Sequence, residues 1–214
     1  MDNKITVIKN WLGTGSINIF GLPMSGKDTV GVALAEMLGA RFLSSGIIIR
    51  AMEAETKSHY SEHGNLIPSD LFYEWVLPYF DREDLRGWPL ILSSVGRWSG
   101  EENAVIDSAQ TYGHPIRAAV LLNISEADVE KRWHEAHDNG ARLGVPGSEA
   151  RKDDAKIEIF KQRCEEFRLK TLPVLTHYQS MGLLVPVNAD APREVVMAGA
   201  IDALYNFATK PAEG

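Results

Sequence analysis

Cysteine is almost missing from this chain: one residue, Cys164, stands among 214. That excludes an internal disulfide framework and any cysteine-built zinc site, and leaves Cys164 as a buried or incidental thiol. Long apolar runs are missing too. None approaches the about 18 residues needed to span a bilayer, and Met1 to Asn10 has no apolar core of the kind a signal peptide carries. Positive charge is in short supply, with 22 Lys and Arg against 29 Asp and Glu and a formal net charge of −7. Such a balance argues against nucleic acid or an anionic membrane as a partner. Internal repeats and low-complexity segments are absent. At 214 residues, 44% of them hydrophobic, the chain is long enough for one sizeable core and too short for two typical domains and a linker. The expectation is a soluble, cytoplasmic protein whose residues 1–214 form a single domain, taken as a monomer although no sequence feature sets its oligomeric state, and any phosphate site must be a local basic pocket in an acidic body.

What is present begins with Gly21-Leu22-Pro23-Met24-Ser25-Gly26-Lys27-Asp28-Thr29. It follows the β-prone run Ile17-Asn18-Ile19-Phe20 and opens the helix-prone run Val30 to Leu38. A strand feeding a glycine loop that becomes a helix N-terminus traps anions. Gly21 and Gly26 let backbone N–H groups point inward, the helix dipole adds positive partial charge, and Lys27 supplies a cation for β- and γ-phosphates. The spacing G-x-x-x-x-G-K points to a nucleoside triphosphate. Asp28 stands where that template has the Ser or Thr that meets Mg²⁺, and the hydroxyl comes one place later, as Thr29.

Along the rest of the chain strands alternate with helices. Ile5 to Leu12 reads as a surface turn of helix, and Val30, Val32, Ala33, Leu34, Met37 and Leu38 form an apolar stripe ended by Gly39. Arg41-Phe42-Leu43 is a short strand, after which Ser44-Ser45-Gly46 caps a helix starting at Ile47, and Pro68-Ser69-Asp70 starts another that runs to about Phe80. Residues 47–80 are therefore expected to form a small helical lobe. Trp88 to Ser94 reads as a strand buried on both faces, Glu101 to Tyr112 as a helix, Pro115 to Leu122 as a strand, and Ser125 as the cap of a further helix. A long helical run from about Asp153 to Ser180 contains Pro173, which should kink or divide it. Leu183 to Val187 closes the sheet, and Pro192 to Phe207 is a terminal helix. The pattern is α/β: a P-loop NTPase-type, five-stranded parallel sheet with helices on both faces.

These residues resemble the adenylate kinase family of nucleoside monophosphate kinases over nearly the whole chain. Gly21 to Thr29 is similar to that family's G-x-P-x-x-G-K-G-T, in which only Asp28 is unusual. Leu43-Ser44-Ser45-Gly46-Ile47-Ile48-Ile49-Arg50 is similar to its S-T-G-D-x-x-R, where the hydroxyl and the arginine hold the monophosphate. Gly64-Asn65-Leu66-Ile67-Pro68 resembles the G-x-L-V-P turn that borders the acceptor base. Leu92-Ser93-Ser94-Val95-Gly96-Arg97 occupies the place of L-D-G-F-P-R, keeping Arg97 but with Ser93 where the family has an aspartate that orders waters around Mg²⁺. Arg132 looks like the arginine that starts the lid, Arg151-Lys152-Asp153-Asp154 like its far end, and Thr171-Leu172-Pro173 like T-x-P, with Arg163 at the family's distance before it.

The resemblance implies transfer of the ATP γ-phosphoryl to a nucleoside monophosphate, with Mg²⁺ accompanying ATP and no zinc. It implies Lys27, Arg97, Arg132, Arg151 and Arg163 as catalytic residues. Gly21, Ser25, Gly26, Lys27, Asp28, Thr29 and Arg132 would bind ATP, and Ser45, Arg50, Ile67, Arg97 and Glu101 the monophosphate. Asp28 would meet the metal directly or through water, in place of the aspartate missing at Ser93. The short lid spans 138–150. Many arginines suit this chemistry because positioning and electrostatic stabilisation supply nearly all of the catalysis, and a guanidinium grips phosphate oxygens in bidentate fashion. Four places after Arg97 the family has a glutamine that reads adenine; here stands Glu101, an acceptor-only group that suits a guanine edge better. AMP leads as acceptor and GMP follows, with Asn103 as a second candidate for reading the base. Two rivals stand beside this expectation: a P-loop kinase of a small metabolite hydroxyl, and a nucleotide-binding regulatory protein without turnover.

Overall fold

The computed structural model describes residues 2–60, 66–138 and 156–210. Five strands form one wholly parallel sheet: β1 (Ser16–Gly21), β2 (Arg41–Ser44), β3 (Leu90–Ser93), β4 (Ile116–Asn123) and β5 (Leu184–Asn188), in the order β2-β3-β1-β4-β5. Every residue of β1 and β3 is buried, as a parallel sheet covered on both faces requires. Asn18 is a polar residue fully buried at mid-strand; its amide answers both backbone groups of Val95, donating to the carbonyl at 2.7 Å and accepting from the N–H at 3.3 Å. The loop that follows β3 is thereby tied to the centre of the sheet.

Helix α1 (Asp2–Leu12) was expected as a surface turn, yet Ile8 and Leu12 are fully buried and α1 packs on both α2 (Lys27–Leu38) and the terminal helix α9 (Arg193–Ala208). Ile5, Ile8, Trp11 and Leu12 share one helical face, a periodicity that was legible in the sequence; what covers that face comes from α9, far along the chain. Helix α3 (Ser45–Thr56) begins where Ser44 Oγ accepts the Ile47 N–H at 3.2 Å, and α4 (Ser69–Trp75) begins after Pro68. A 3₁₀ segment, Leu77–Asp81, follows Val76; Pro78, near its start, lacks the N–H that would continue the α-helical ladder. Helix α5 (Glu101–Thr111) precedes β4, and α6 (Glu126–Asp138) follows Ser125, whose Oγ accepts the Asp128 N–H while its hydroxyl donates to the Asp128 carboxylate, so Ser125 is the cap expected from the sequence.

Beyond α6, α7 (Ile157–Glu166) and α8 (Leu172–Ser180) are joined by one π-helical stretch, Phe167–Thr171. Pro173 sits in the first turn of α8, where its missing N–H cannot join the regular ladder, and the turn just before it is the π-helical one. The expected lid, 138–150, and Arg151 lie outside the described residues apart from Asp138 at the end of α6.

Strand register decides which loops meet. Ser44 is the neighbour of Ser93 across β2 and β3, and Ser93 is the neighbour of Ile19 across β3 and β1. The segments leaving β1, β2 and β3 therefore gather at one carboxyl edge of the sheet, where parallel α/β folds hold their ligands.

Candidate active site

The loop between β1 and α2 is shaped by backbone. Gly26 adopts φ 88° and Met24 φ 63°, the left-handed region that glycine occupies freely and methionine rarely. Gly21 is required for a different reason: a Cβ there would fall 2.5 Å from Ser25 Oγ and 3.2 Å from Leu122. The N-cap of α2 is Gly26, which has no side chain to cap the helix, so the positive end of that helix faces the loop. Ser25 is 2% exposed, and its hydroxyl is among the buried polar atoms that find no partner within the protein. An uncapped helix start beside an unanswered hydroxyl is what a polyphosphate would complete. Lys27 is the first residue of α2, and Lys27 and Thr29 are both half-buried at the loop's exit.

Asp28 lies in the first turn of α2, where the dipole favours a carboxylate, and Ser93 Oγ donates to its Oδ1 at 2.5 Å. The loop carboxylate thus stands beside the strand-end position that lacks one, 65 residues away in sequence. Among the described residues no group of three or more His, Cys, Asp or Glu side chains is arranged to hold a metal. One carboxylate bonded to the Ser93 hydroxyl suits Mg²⁺, which keeps most of its waters and takes phosphate oxygens as ligands.

The Arg97 loop is built from side-chain bonds. Ser94, at φ 53°, donates its N–H to Ile19 O at 2.9 Å, and Val95 is held by Asn18. The Arg97 N–H donates to Glu101 Oε2 at 2.8 Å, the Trp98 N–H to the same oxygen at 3.1 Å, and Thr171 Oγ1 donates to the Arg97 carbonyl at 3.3 Å. Lys170 Nζ lies 4.0 Å from the Trp98 ring centroid and 3.3 Å from Glu166. Arg97 is fixed at both its N–H and its carbonyl.

Glu101 is expected at the acceptor base, but it is 2% exposed beneath this loop, with Oε1 accepting from Ser69 Oγ at 2.8 Å. Burial pushes its carboxyl above the usual range against the pull of the Trp98, Ser69 and Arg97 bonds. Both oxygens serve the protein's own donors, so a base-reading role does not match this conformation. Asn103 Oδ1 lies 3.1 Å from His177 Nε2 on α8, so that amide is engaged as well.

The remaining predicted residues are dispersed around the same edge of the fold or near it. Ser45 opens α3 and is buried, Arg50 is exposed on α3, and Ile67 is buried just before α4. Arg132, on α6, donates from Nη2 to the carbonyl of Ala189 at 2.7 Å and to that of Ala191 at 3.4 Å, bracing the connection from β5 to α9. Arg163, on α7, is 7% exposed, which separates it from an ordinary surface charge. Sequence reasoning missed Asn18 and Ser69 and gave Thr171 no task. An asparagine inside an otherwise apolar strand was the available signal for the first; nothing local signalled the other two.

A parallel sheet whose first strand delivers a lysine-bearing glycine loop to the carboxyl edge, where the loop after neighbouring β3 holds the backbone of Arg97, defines a P-loop phosphotransferase. A sequence model of the AAA domain family matches residues 17–167, and the chain belongs to that family. It is similar to the adenylate kinase of Streptomyces coelicolor, 26% identical over 88% of this chain and 97% of that protein. It is also similar to the adenylate kinase of Methylobacterium nodulans, 29% identical over 82% of this chain and 89% of that protein. A gluconokinase structure from Sinorhizobium meliloti 1021 shares the fold, with a TM-score of 0.58, 21% identity, and coverage of 91% of this chain and 93% of that one. The chain is a divergent adenylate-kinase-like phosphotransferase.

Proposed function

We propose that this protein transfers the γ-phosphoryl of ATP to a nucleoside monophosphate, with AMP the leading acceptor and GMP the second. The observation that carries the reading is the meeting, at one sheet edge, of an uncapped helix start beside the buried Ser25 hydroxyl and an Arg97 held at both backbone groups. Gly21 to Thr29 hold the donor polyphosphate; Arg50 and Ile67, in the lobe of residues 47–80, hold the acceptor together with Ser45 and Arg97. An acceptor phosphate oxygen forms a bond to the γ-phosphorus as the bond to the β,γ-bridging oxygen breaks and ADP leaves. Lys27 and Arg97 face the charge that spreads over the transferring oxygens; Arg132, Arg151 and Arg163 add to that field from the lid side. When bound, Mg²⁺ would neutralise β- and γ-phosphate charge, held by Asp28 directly or through water with Thr29 and Ser93 beside it.

The curated adenylate kinase relatives cover nearly the whole chain, which supports a nucleotide acceptor. A small hydroxyl-bearing metabolite is the second reading, favoured by the gluconokinase-like fold together with Glu101, which stands where a base-reading amide is expected. One assay separates them. ADP formation is followed with AMP, GMP, CMP, UMP and a sugar acid as acceptors; turnover confined to monophosphates is the expected result. Turnover on the sugar acid alone selects the second reading, and ATP binding without turnover on any acceptor selects a regulatory protein.

A further inference from the structure

We infer that Glu101 is a positioning residue that locks two parts of the acceptor side together: the backbone of Arg97 and the start of α4. This rests on the kinase reading above, because it assigns a job within that site. The geometry consists of three bonds to one buried carboxylate. Oε2 takes the N–H groups of Arg97 and Trp98, and Oε1 takes the hydroxyl of Ser69, which opens α4 and lies 32 residues earlier in the chain. Glu101 itself opens α5, so its charge also lies at the positive end of a helix. A carboxylate is suited to this node because it can only accept, and it faces three donors from two segments.

The segments joined are those that must agree on one distance. Arg97 is proposed to touch the acceptor phosphate, and Ser69 follows Ile67, proposed to border the acceptor's base. If these move independently, the acceptor phosphate loses its in-line placement against the donor, and small misplacements are costly. Thr171 fixes the Arg97 carbonyl from the π-helical stretch, while Glu101 fixes its N–H from α5, and of these two holds it is Glu101 that also bonds the start of α4.

A glutamine can satisfy the same three partners. Its carbonyl oxygen accepts from the Arg97 and Trp98 N–H groups, and its amide donates to the Ser69 hydroxyl, which reverses its role. Alanine can satisfy none. The inference is tested by backbone hydrogen exchange and kinetics on Glu101→Ala, Glu101→Gln and Ser69→Ala in the full chain. Glu101→Ala should speed exchange by roughly tenfold or more in both the 94–100 and the 66–75 segments, since both lose a bond. Ser69→Ala should affect only 66–75, and Glu101→Gln neither. In kinetics normalised to ATP-binding-competent protein, Glu101→Ala should lower kcat by roughly tenfold or more for every acceptor, with glutamine restoring it to within about threefold. Unchanged exchange at 66–75 in Glu101→Ala would overturn the link. So would a Glu101→Gln variant that changes the AMP-to-GMP ratio by about tenfold, which would make the residue a base reader. The exchange readout needs no turnover, so a failed acceptor panel with intact exchange results would sink the kinase reading and leave the Glu101 link standing.

Discussion

The two halves of the site are built on opposite plans. The donor loop, Gly21 to Thr29, is made of backbone: glycine where a Cβ would collide, two residues at positive φ, and a helix start left uncapped. The acceptor loop, Ser94 to Glu101, is made of side chains from three elements, with Asn18, Glu101, Thr171 and Lys170 each holding one part of it. The first kind of site is a local property of nine consecutive residues. The second exists only when β1, α5 and the π-helical stretch are in place. A backbone loop can be shared by many acceptor chemistries, whereas a loop held by side chains can be retuned one residue at a time.

The sharpest way to break this comparison is at the lysine. Lys27→Ala removes the cation that faces the transferring charge and should lower kcat on the order of 10²-fold or more, measured by coupled ADP formation. Unchanged turnover would remove the donor loop from the chemistry altogether. On the acceptor side, Thr171→Val keeps shape but drops the hydroxyl that holds the Arg97 carbonyl. It should lower kcat by roughly tenfold while ATP affinity stays within about twofold, because only the acceptor side loosens. A parallel loss of ATP binding would show that the two halves are not separable.

A smaller effect probes the place where the halves touch. Asp28 and Ser93 share one hydrogen bond, so Asp28→Gly should raise the Mg²⁺ concentration needed for half-maximal activity by several-fold. Calorimetric titration of Mg²⁺ with a non-hydrolysable ATP analogue gives the same comparison without turnover, and an unaltered requirement would exclude the carboxylate from metal handling.

The smallest effect lies away from both loops. Burial pushes the Cys164 thiol up from 9.0 to about 11, with the nearby Glu126 charge acting in the same direction. A group whose pKa is raised on folding contributes stability below its unfolded value and loses it as pH climbs through the folded one, so this contribution should fade between pH 9 and about 11. At pH 8 the thiol should also resist alkylation in the folded protein and react readily after denaturation. A Cys164→Ala variant whose stability falls with pH as steeply as the wild type's would show that other groups carry the alkaline loss.

Much of this molecule could be read without coordinates. Buried continuous runs at Ile17 to Phe20 and Leu90 to Ser93, helix caps at Ser44 and Ser125, and the phosphate-loop spacing lie within short windows, and local sterics and periodicity act over such windows. They determined a parallel α/β sheet and a loop shaped for phosphate. The sequence could also predict that Pro173 interrupts a helix, because a missing N–H is a property of the residue alone. Tertiary structure decided everything that depends on a partner: that α1 is anchored against α9, that Ser93 meets Asp28 across 65 residues, and that Thr171 meets Arg97 across 74. It also decided the work of Glu101. A carboxylate four residues past an arginine can face a ligand or the protein interior, and only the meeting of α4 with α5 beneath the Arg97 loop surrounded it with three donors of the chain itself. The physical reason is that residue type sets which bonds a group can make, while the register of distant strands sets which groups come within reach.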